Sequence, residues 1–372
     1  TEFGLFVSVD DGAHWQSFQQ NLPITPGTDL QVKVLDLVVA TQGGSLWILD
    51  DLTLLHQLVE GALGAEGVPS AEEEKLSKAV LFEPGLTHRL SRARSGGDRQ
   101  AQNPPNGAVI RYYLPEEVED TIRLDILDGA GEPVRSFTSH PEEEEDPKLP
   151  TKKGVNRFVW DLTHEPLELP EGAMAYLGYT GGPTAVPGEY GLRLSVGEWS
   201  QNQTLRLLGD PRISHVTAAN LEAQLETAQR IRARMEELYS TLEALRSVRD
   251  QAKGVAKRAE EGGFGKELDV MADSFAAALA PLEEELIQTK AESGQDPINF
   301  PPQLDNQFGY LYRHVAQAYG PPTSAERARL EELEGRLAVA RGMIQAVWDQ
   351  QIPAMNLKIQ ELGVPPITVP KK

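Results

Sequence analysis

The sequence contains no cysteine in its 372 residues. This absence excludes disulfide bonds, thiolate metal sites and cysteine nucleophiles, and it fits a cytoplasmic or a periplasmic protein equally well. No apolar run is long enough to span a bilayer, and no secretory signal is visible. We therefore expect no membrane span.

Positive charge is also scarce, because 35 Lys and Arg residues stand against 56 Asp and Glu residues and give a net charge of -21. A surface of this average sign repels nucleic acids and anionic membranes. We therefore expect no nucleic-acid partner. The length is sufficient for two or three domains, and the 40% hydrophobic content is ordinary for a globular protein.

Motifs for hydrolysis and nucleotide binding are missing as well. There is no Gly-x-Ser-x-Gly elbow. Residues 262–266 are similar to a phosphate-binding loop, but Glu260 stands where the first glycine is needed and Glu267 replaces the hydroxyl residue. We assign no catalytic residue and no cofactor-binding residue, and we expect no cofactor.

Two acidic segments suggest metal binding at first sight. Asp161, His164 and Glu165 lie close together in the sequence, but Pro166 breaks any helix there, and a single His near acids on a strand end is usually surface chemistry. The acidic run 142–146 lacks the spaced ligands of a calcium loop, which favours a solvated loop. We assign no metal site.

The first residues carry the most specific motif. Residues 5–9 alternate as a half-buried strand does, and an Asp-Gly pair then predicts a hairpin turn. Ser8, Asp10, Gly12 and Trp15 match the Asp-box (Ser-x-Asp-x-Gly-x-x-Trp) of sialidase-type and sortilin-type propellers. Asp10 is interpreted as a residue that holds the turn together, rather than as a catalytic or metal-binding carboxylate. Trp15 is expected to pack against the turn.

Short strands continue to about residue 58. Strands are predicted at 29–34, 36–41 and 45–49, with Gly43 and Gly44 between the last two. This spacing suits one propeller blade and the start of its neighbour. One or two blades cannot cover their own faces and edges. We therefore expect either further blades absent from this chain or strands used for another purpose.

Residues 59–105 are predicted to be a linker. Ser70 and Glu73 frame a capping box for a short helix at 72–79. Residues 91–102 are polar and basic and predict a solvated loop.

Residues 106–210 predict an immunoglobulin-like β-sandwich of about 100 residues. Its short strands are separated by turn signals, such as the Asp-Gly pair at 128–129. The predicted strands are 108–114, 121–127, 132–137, 155–160, 188–196 and 203–208.

Residues 215–372 predict an antiparallel helical bundle, because apolar residues recur at three and four positions. The helical stripes cover 221–248, 268–286, 304–319 and 330–347. Thr217 is the expected N-cap of the first helix, and Thr323 with Glu326 forms a capping box. Pro281 is expected to kink or split its helix, and Pro353 to bend or end the last one.

Together these segments resemble the bacterial sortilin-type BNR-repeat proteins, often labelled glycosyl hydrolases with BNR repeats. The resemblance depends on the Asp-box and on four further similarities. Residues 37–51 resemble the family's final propeller blade, and residues 103–110 resemble the start of its C-terminal sandwich. Residues 155–161 together with 186–190 resemble an immunoglobulin-like module of the flagellar hook-capping type. Residues 362–367 resemble the end of the family's helical tail.

The resemblance implies a multidomain α+β chain that corresponds to the C-terminal portion of the family. Its parts are incomplete propeller blade or blades (1–58), the linker (59–105), the sandwich (106–210) and the helical bundle (215–372). It also implies a secreted or periplasmic location. Two features depart from the family: Gly44 replaces a bulkier residue, and the cysteine-rich module of animal sortilins has no counterpart.

The function that we expect is a non-catalytic structural or interaction region of a secreted BNR-repeat propeller protein. Its partner is then another protein or the missing blades, and we favour no catalysis by this chain alone. One alternative is the C-terminal part of a glycoside hydrolase, or of another hydrolase, whose active site lies in the missing blades. Another is a carbohydrate-binding module that binds a glycan by stacking on Trp47, Trp160, Trp199 or Tyr179.

Overall fold

The structure is a computed structural model that describes residues 1–63, 78–90, 105–170, 173, 180–264, 266–290 and 296–363. It is a mixed α+β chain with several β-sheets, one of them curled into a half-barrel, and with five α-helices in these ranges. The α+β prediction is therefore confirmed. The chain divides into a sheet unit (Thr1–Leu162 with Val186–Ser214) and a helical unit (Thr163–Ala185 with His215–Lys372).

The sheet unit begins with two small antiparallel sheets. Strands β1 (Phe6–Val7) and β2 (Gln16–Ser17) form a hairpin. Strands β3 (Gly27–Lys33), β4 (Asp36–Thr41) and β5 (Leu46–Leu49) form a three-stranded sheet with β4 in the centre. These strands lie close to the positions that the alternation predicts.

Helix α1 (Thr53–Leu63) follows β5 and differs from the sequence prediction of strands and linker. Its start is stabilised by Asp51, whose Oδ1 accepts the Thr53 N–H at 3.2 Å and whose Oδ2 pairs with Arg111 at 2.6 Å. A side chain that accepts an amide at a helix start replaces a missing helical bond. The apolar run is too short for its period to identify a helix.

Two further sheets lie in the described part of the sheet unit. A five-stranded sheet has the order β10 (Pro133–Thr138), β9 (Ile122–Leu127), β12 (Gly188–Val196), β13 (Trp199–Leu208) and β7 (Thr87–His88), in which only the β13–β7 pair is parallel. A three-stranded antiparallel sheet has the order β11 (Gly154–Trp160), β8 (Ala108–Leu114) and β6 (Val80–Leu81). All six strands predicted between 108 and 208 are present.

Strands β6 and β7 lie in the range predicted to be a linker. β6 pairs with β8, and β7 pairs with β13, so both short strands extend the later sheets. Their two-residue length leaves no alternation to detect in the sequence. The predicted helix at 72–79 and the basic loop at 91–102 lie outside the described residues, except for Lys78 and Ala79.

Four helices form most of the helical unit: α2 (Ala218–Glu261), α3 (Glu267–Leu286), α4 (Leu304–Gln317) and α5 (Ser324–Glu361). They share one apolar core, which also includes Leu167 from the segment before β12. That segment was predicted to belong to the sandwich, yet the Tyr312 hydroxyl donates to Gly181 O at 2.9 Å. These contacts explain why residues 163–185 cluster with the helices.

The helix ends follow the predicted caps, but the internal prolines do not end their helices. Thr217 and Thr323 each form a complete capping box. Pro281 lies within α3 and Pro353 within α5, so neither residue splits or ends its helix. Both prolines are on exposed faces, where water can bond the carbonyl that the proline leaves unpaired.

The C-terminal end of α4 is closed by a side chain from α2. Gln224 is buried, and its Nε2 donates to Val315 O at 2.7 Å and to Ala318 O at 2.5 Å. Terminal helix carbonyls need such partners when they are not reached by water. No described helix combines the length and apolar character that a membrane crossing requires.

Candidate functional site

The Asp-box residues form a hydrogen-bonded turn between β1 and β2. Ser8 Oγ donates to Asp10 Oδ1 at 2.9 Å and accepts the Gly12 N–H at 2.8 Å. Asp10 Oδ1 also accepts the His14 N–H at 2.9 Å. Gly12 has φ +92°, a conformation that favours glycine. The motif therefore closes the turn through its own side chains.

The Asp10 carboxylate is held in its charged form. The His14 N–H, followed by the His14 side chain at 2.5 Å from Oδ2, lowers the pKa of Asp10 to about 2. A carboxylate that accepts several hydrogen bonds is a poor proton donor near neutral pH. This geometry agrees with the turn-holding role that the sequence analysis gives to Asp10.

Trp15 lies against the turn and leaves most of its surface exposed. Its Nε1 donates to Gly12 O at 3.1 Å, and a Cβ at position 12 would lie 3.9 Å from the ring. The residue nevertheless remains 65% exposed. The contact with the turn agrees with the prediction, while the exposed ring offers apolar area to another element.

Replacing Asp10 by alanine is expected to loosen this turn. The amides of His14 and Gly12 should exchange with solvent about tenfold faster or more. The His14 amide loses its acceptor, and the Gly12 amide is bound by Ser8, which loses the Asp10 contact that orients it. Hydrogen exchange followed by NMR measures both amides. Asp11→Asn is the control, since Asp11 has φ +53° and asparagine tolerates that conformation. Unchanged exchange in Asp10→Ala would contradict the assigned role.

The residues considered for metal binding make other contacts. Asp161 pairs with Arg135 at 2.9 Å, the His164 N–H donates to Pro183 O at 2.9 Å, and Glu165 O accepts a bond from Arg232. Within the described ranges, no group of three or more His, Asp or Glu side chains is arranged to hold a metal ion.

The aromatic residues considered for glycan stacking are not equally accessible. Trp160 is fully buried, and its ring meets Tyr190 edge-on at 5.4 Å between centroids. Trp47 is partly buried, and its Nε1 donates to Gly44 O at 2.8 Å. Trp199 is partly buried, and Tyr179 lies outside the described residues. Trp160 therefore cannot serve as a stacking platform.

The three-stranded sheet β3–β5 carries an uncovered apolar face. Its pairing places Val38 beside Ile48 and Ala40 beside Leu46 on one side. We call these four residues the outer face. Leu46 is 68% exposed and Ile48 is 62% exposed. On the opposite side, Leu30 and Leu37 line a cavity of about 420 Å³ together with residues of β1 and α1.

Two carboxyl groups are buried among the described residues of the helical unit, and they differ in their partners. Glu283 on α3 pairs with Arg246 at 2.7 Å and with Arg249 at 2.5 Å, both from α2. Asp305 on α4 is 3% exposed and accepts bonds from the Asn306 N–H at 2.6 Å and from Asn306 Nδ2 at 3.1 Å. Burial raises the pKa of Asp305 to about 6.

Comparison with known proteins gives no relative. No protein-family model matches the chain, and no curated protein or solved structure matches it significantly.

Proposed function

We propose that the chain is a non-catalytic structural and interaction region of a BNR-repeat propeller protein, in which β1–β5 are completed by further blades. The observation that carries this proposal is the outer face, where Leu46 and Ile48 are exposed on a regular strand. Contiguous apolar area of this kind usually marks an interaction surface. A neighbouring blade packs on a sheet face in this way.

The Asp-box turn supports the same proposal. Its bonds from Ser8 and Asp10 are local, so the turn does not need the rest of the chain to close. Trp15 is nevertheless left exposed. A turn that forms its own hydrogen bonds but leaves its tryptophan exposed fits a blade segment that packs against another blade.

The later parts of the chain fit a supporting role. Alternating buried residues on β8 and β12 agree with an immunoglobulin-like sandwich, and helices α2 to α5 around one core agree with a bundle. Asp125 is buried and bound by Ser136 at 2.7 Å and by Arg193 at 2.9 Å, so this carboxylate links strands. Such contacts favour packing over catalysis.

Hydrogen exchange in this chain and in the whole gene product that contains it tests the proposal. We expect β3–β5 amides to exchange at least about tenfold more slowly in the whole product, because added blades cover the sheet. Amides of β8 and β12 are the internal control and should not change. Equal exchange of β3–β5 in both proteins would overturn the blade assignment. Turnover of a glycan or peptide by this chain alone would overturn the non-catalytic part.

A pair of substitutions on the same sheet sharpens this test. Leu46→Ser with Ile48→Ser should change the stability of this chain alone by less than about 0.5 kcal/mol, because both side chains are already exposed. In the whole gene product the same pair should cost about 2–4 kcal/mol, since each side chain is then buried. Val39→Ser is the matched control, because Val39 is buried and should destabilise both proteins. Thermal or urea unfolding measures both variants, the double substitution and the control, in each protein.

A further inference from the structure

A cavity of about 730 Å³ lies between α4 and the first turns of α5. Its volume is within the range of small-molecule sites, about 300–1,000 Å³. Residues of both helices form its walls, and Pro302, just before α4, is also part of the lining. The sequence alone does not predict this cavity, because its lining residues come from two separate helices and their spacing along the chain matches no binding motif.

One wall of the cavity is aromatic. Tyr310 and His314 lie one turn apart on α4, with ring centroids 4.6 Å apart and planes at 60°. Tyr310 is 51% exposed, so its ring is accessible to a ligand in the cavity. Such a wall offers stacking and edge contacts to a flat ligand.

The other wall carries the permanent positive charge of Arg329 on α5. Arg329 Nη2 donates to Gln307 Oε1 at 2.7 Å, which fixes the guanidinium across the cavity. Its Nη1 lies 2.6 Å from Glu332 Oε2. Glu332 is exposed and does not line the cavity, so this ion pair contributes little to stability and an incoming anion can replace it.

The start of α5 is not the anion-binding part of this cavity. Thr323 Oγ1 accepts the Glu326 N–H at 3.2 Å, and Glu326 Oε2 accepts the Thr323 N–H at 2.7 Å. An anion bound at a helix start accepts hydrogen bonds from the first amides of the helix. Here the amides of Thr323 and Glu326 already donate to side chains of the capping box. Glu326 also lines the cavity, but its carboxylate is engaged by the Thr323 N–H and the Thr323 hydroxyl. Arg329 is therefore the group of this lining that can pair with a carboxylate.

We infer that this cavity binds a small aromatic carboxylic acid. The ring lies against Tyr310 and His314, and the carboxylate pairs with Arg329 in place of Glu332. Arginine binds carboxylates through two parallel hydrogen bonds, and a guanidinium already held in position loses little freedom on binding. This site is independent of the propeller proposal, because it lies wholly within the helical unit.

Titration of the full chain with three matched probes tests the inference. Phenylacetate carries both the ring and the charge, cyclohexylacetate lacks the aromatic ring, and 2-phenylethanol lacks the charge. We expect saturable binding of phenylacetate, by calorimetry or NMR, at least about tenfold tighter than that of either relative. No saturable binding of phenylacetate up to about 10 mM would overturn the inference. Equal binding of all three probes would also overturn it.

Four variants locate the site, with circular dichroism confirming that each folds. Arg329→Gln should weaken phenylacetate binding about tenfold or more, whereas Glu332→Gln should tighten it about threefold, because the competing carboxylate is removed. Tyr310→Leu should abolish the preference for phenylacetate over cyclohexylacetate. Arg327→Gln, an exposed arginine of α5 outside the cavity lining, should change nothing. Binding that is unaffected by Arg329→Gln, or weakened by Glu332→Gln, would contradict the assignment.

Discussion

Replacing Asp305 by asparagine is expected to stabilise the helical unit by about 3 kcal/mol at about pH 8. The pKa of this carboxyl is raised from 3.8 to about 6 by burial. Above the higher value the folded protein must carry a buried charge that the unfolded chain carries in water. Asparagine keeps an oxygen that accepts both bonds from Asn306 and removes the charge.

The gain in stability from Asp305→Asn is expected to depend on pH. Below pH 3.8 the carboxyl is protonated in both states, so Asp305 then carries no charge to bury. The destabilisation grows as pH rises through the window between 3.8 and about 6 and is complete above it. The benefit of Asp305→Asn, measured by urea unfolding at 222 nm, should therefore be near zero at the acidic end. An equal benefit at both ends would show that charge burial is not its cause.

Replacing Glu283 by alanine is expected to have the opposite effect, a loss of about 3 kcal/mol. Glu283 is buried and bound by Arg246 and Arg249, so the alanine variant leaves two partly buried guanidinium groups without their shared partner. Urea unfolding at about pH 7 measures this loss.

The neighbouring residue supplies the control for this variant. Glu284→Ala changes an exposed carboxylate on the same helix and should alter stability by less than about 0.5 kcal/mol. The loss of stability in Glu283→Gln should lie between the losses in these two alanine variants, because glutamine keeps an acceptor and loses the charge. A loss below about 1 kcal/mol in Glu283→Ala would mean that water replaces the ion pairs at little cost.

The alternating strands and the long helices were predictable because their signals are local and repeated. β8 and β12 occupy the predicted ranges, and the caps at Thr217 and Thr323 are in place. The Asp-box turn was predictable for the same reason, since its bonds join residues at most four positions apart.

Features that depend on distant partners were not predictable. Helix α1 starts at Thr53, next to the side chain of Asp51, which is also held by Arg111 sixty residues later. Leu167 joins the helical core although it follows a strand. The cavity beside Arg329 likewise forms only where α4 and α5 come together, so the sequence of either helix alone does not predict it.

The cap that Gln224 places on α4 links this cavity to the assembly of the helical unit. The bond spans 91 residues, so the end of α4 closes only after a large loop has formed. A 14-residue helix is marginal by itself. A molecule held between α4 and α5 therefore binds the assembled unit and not its separate pieces. By mass action, a concentration of 100 times its dissociation constant would shift the unfolding equilibrium by about 2.7 kcal/mol.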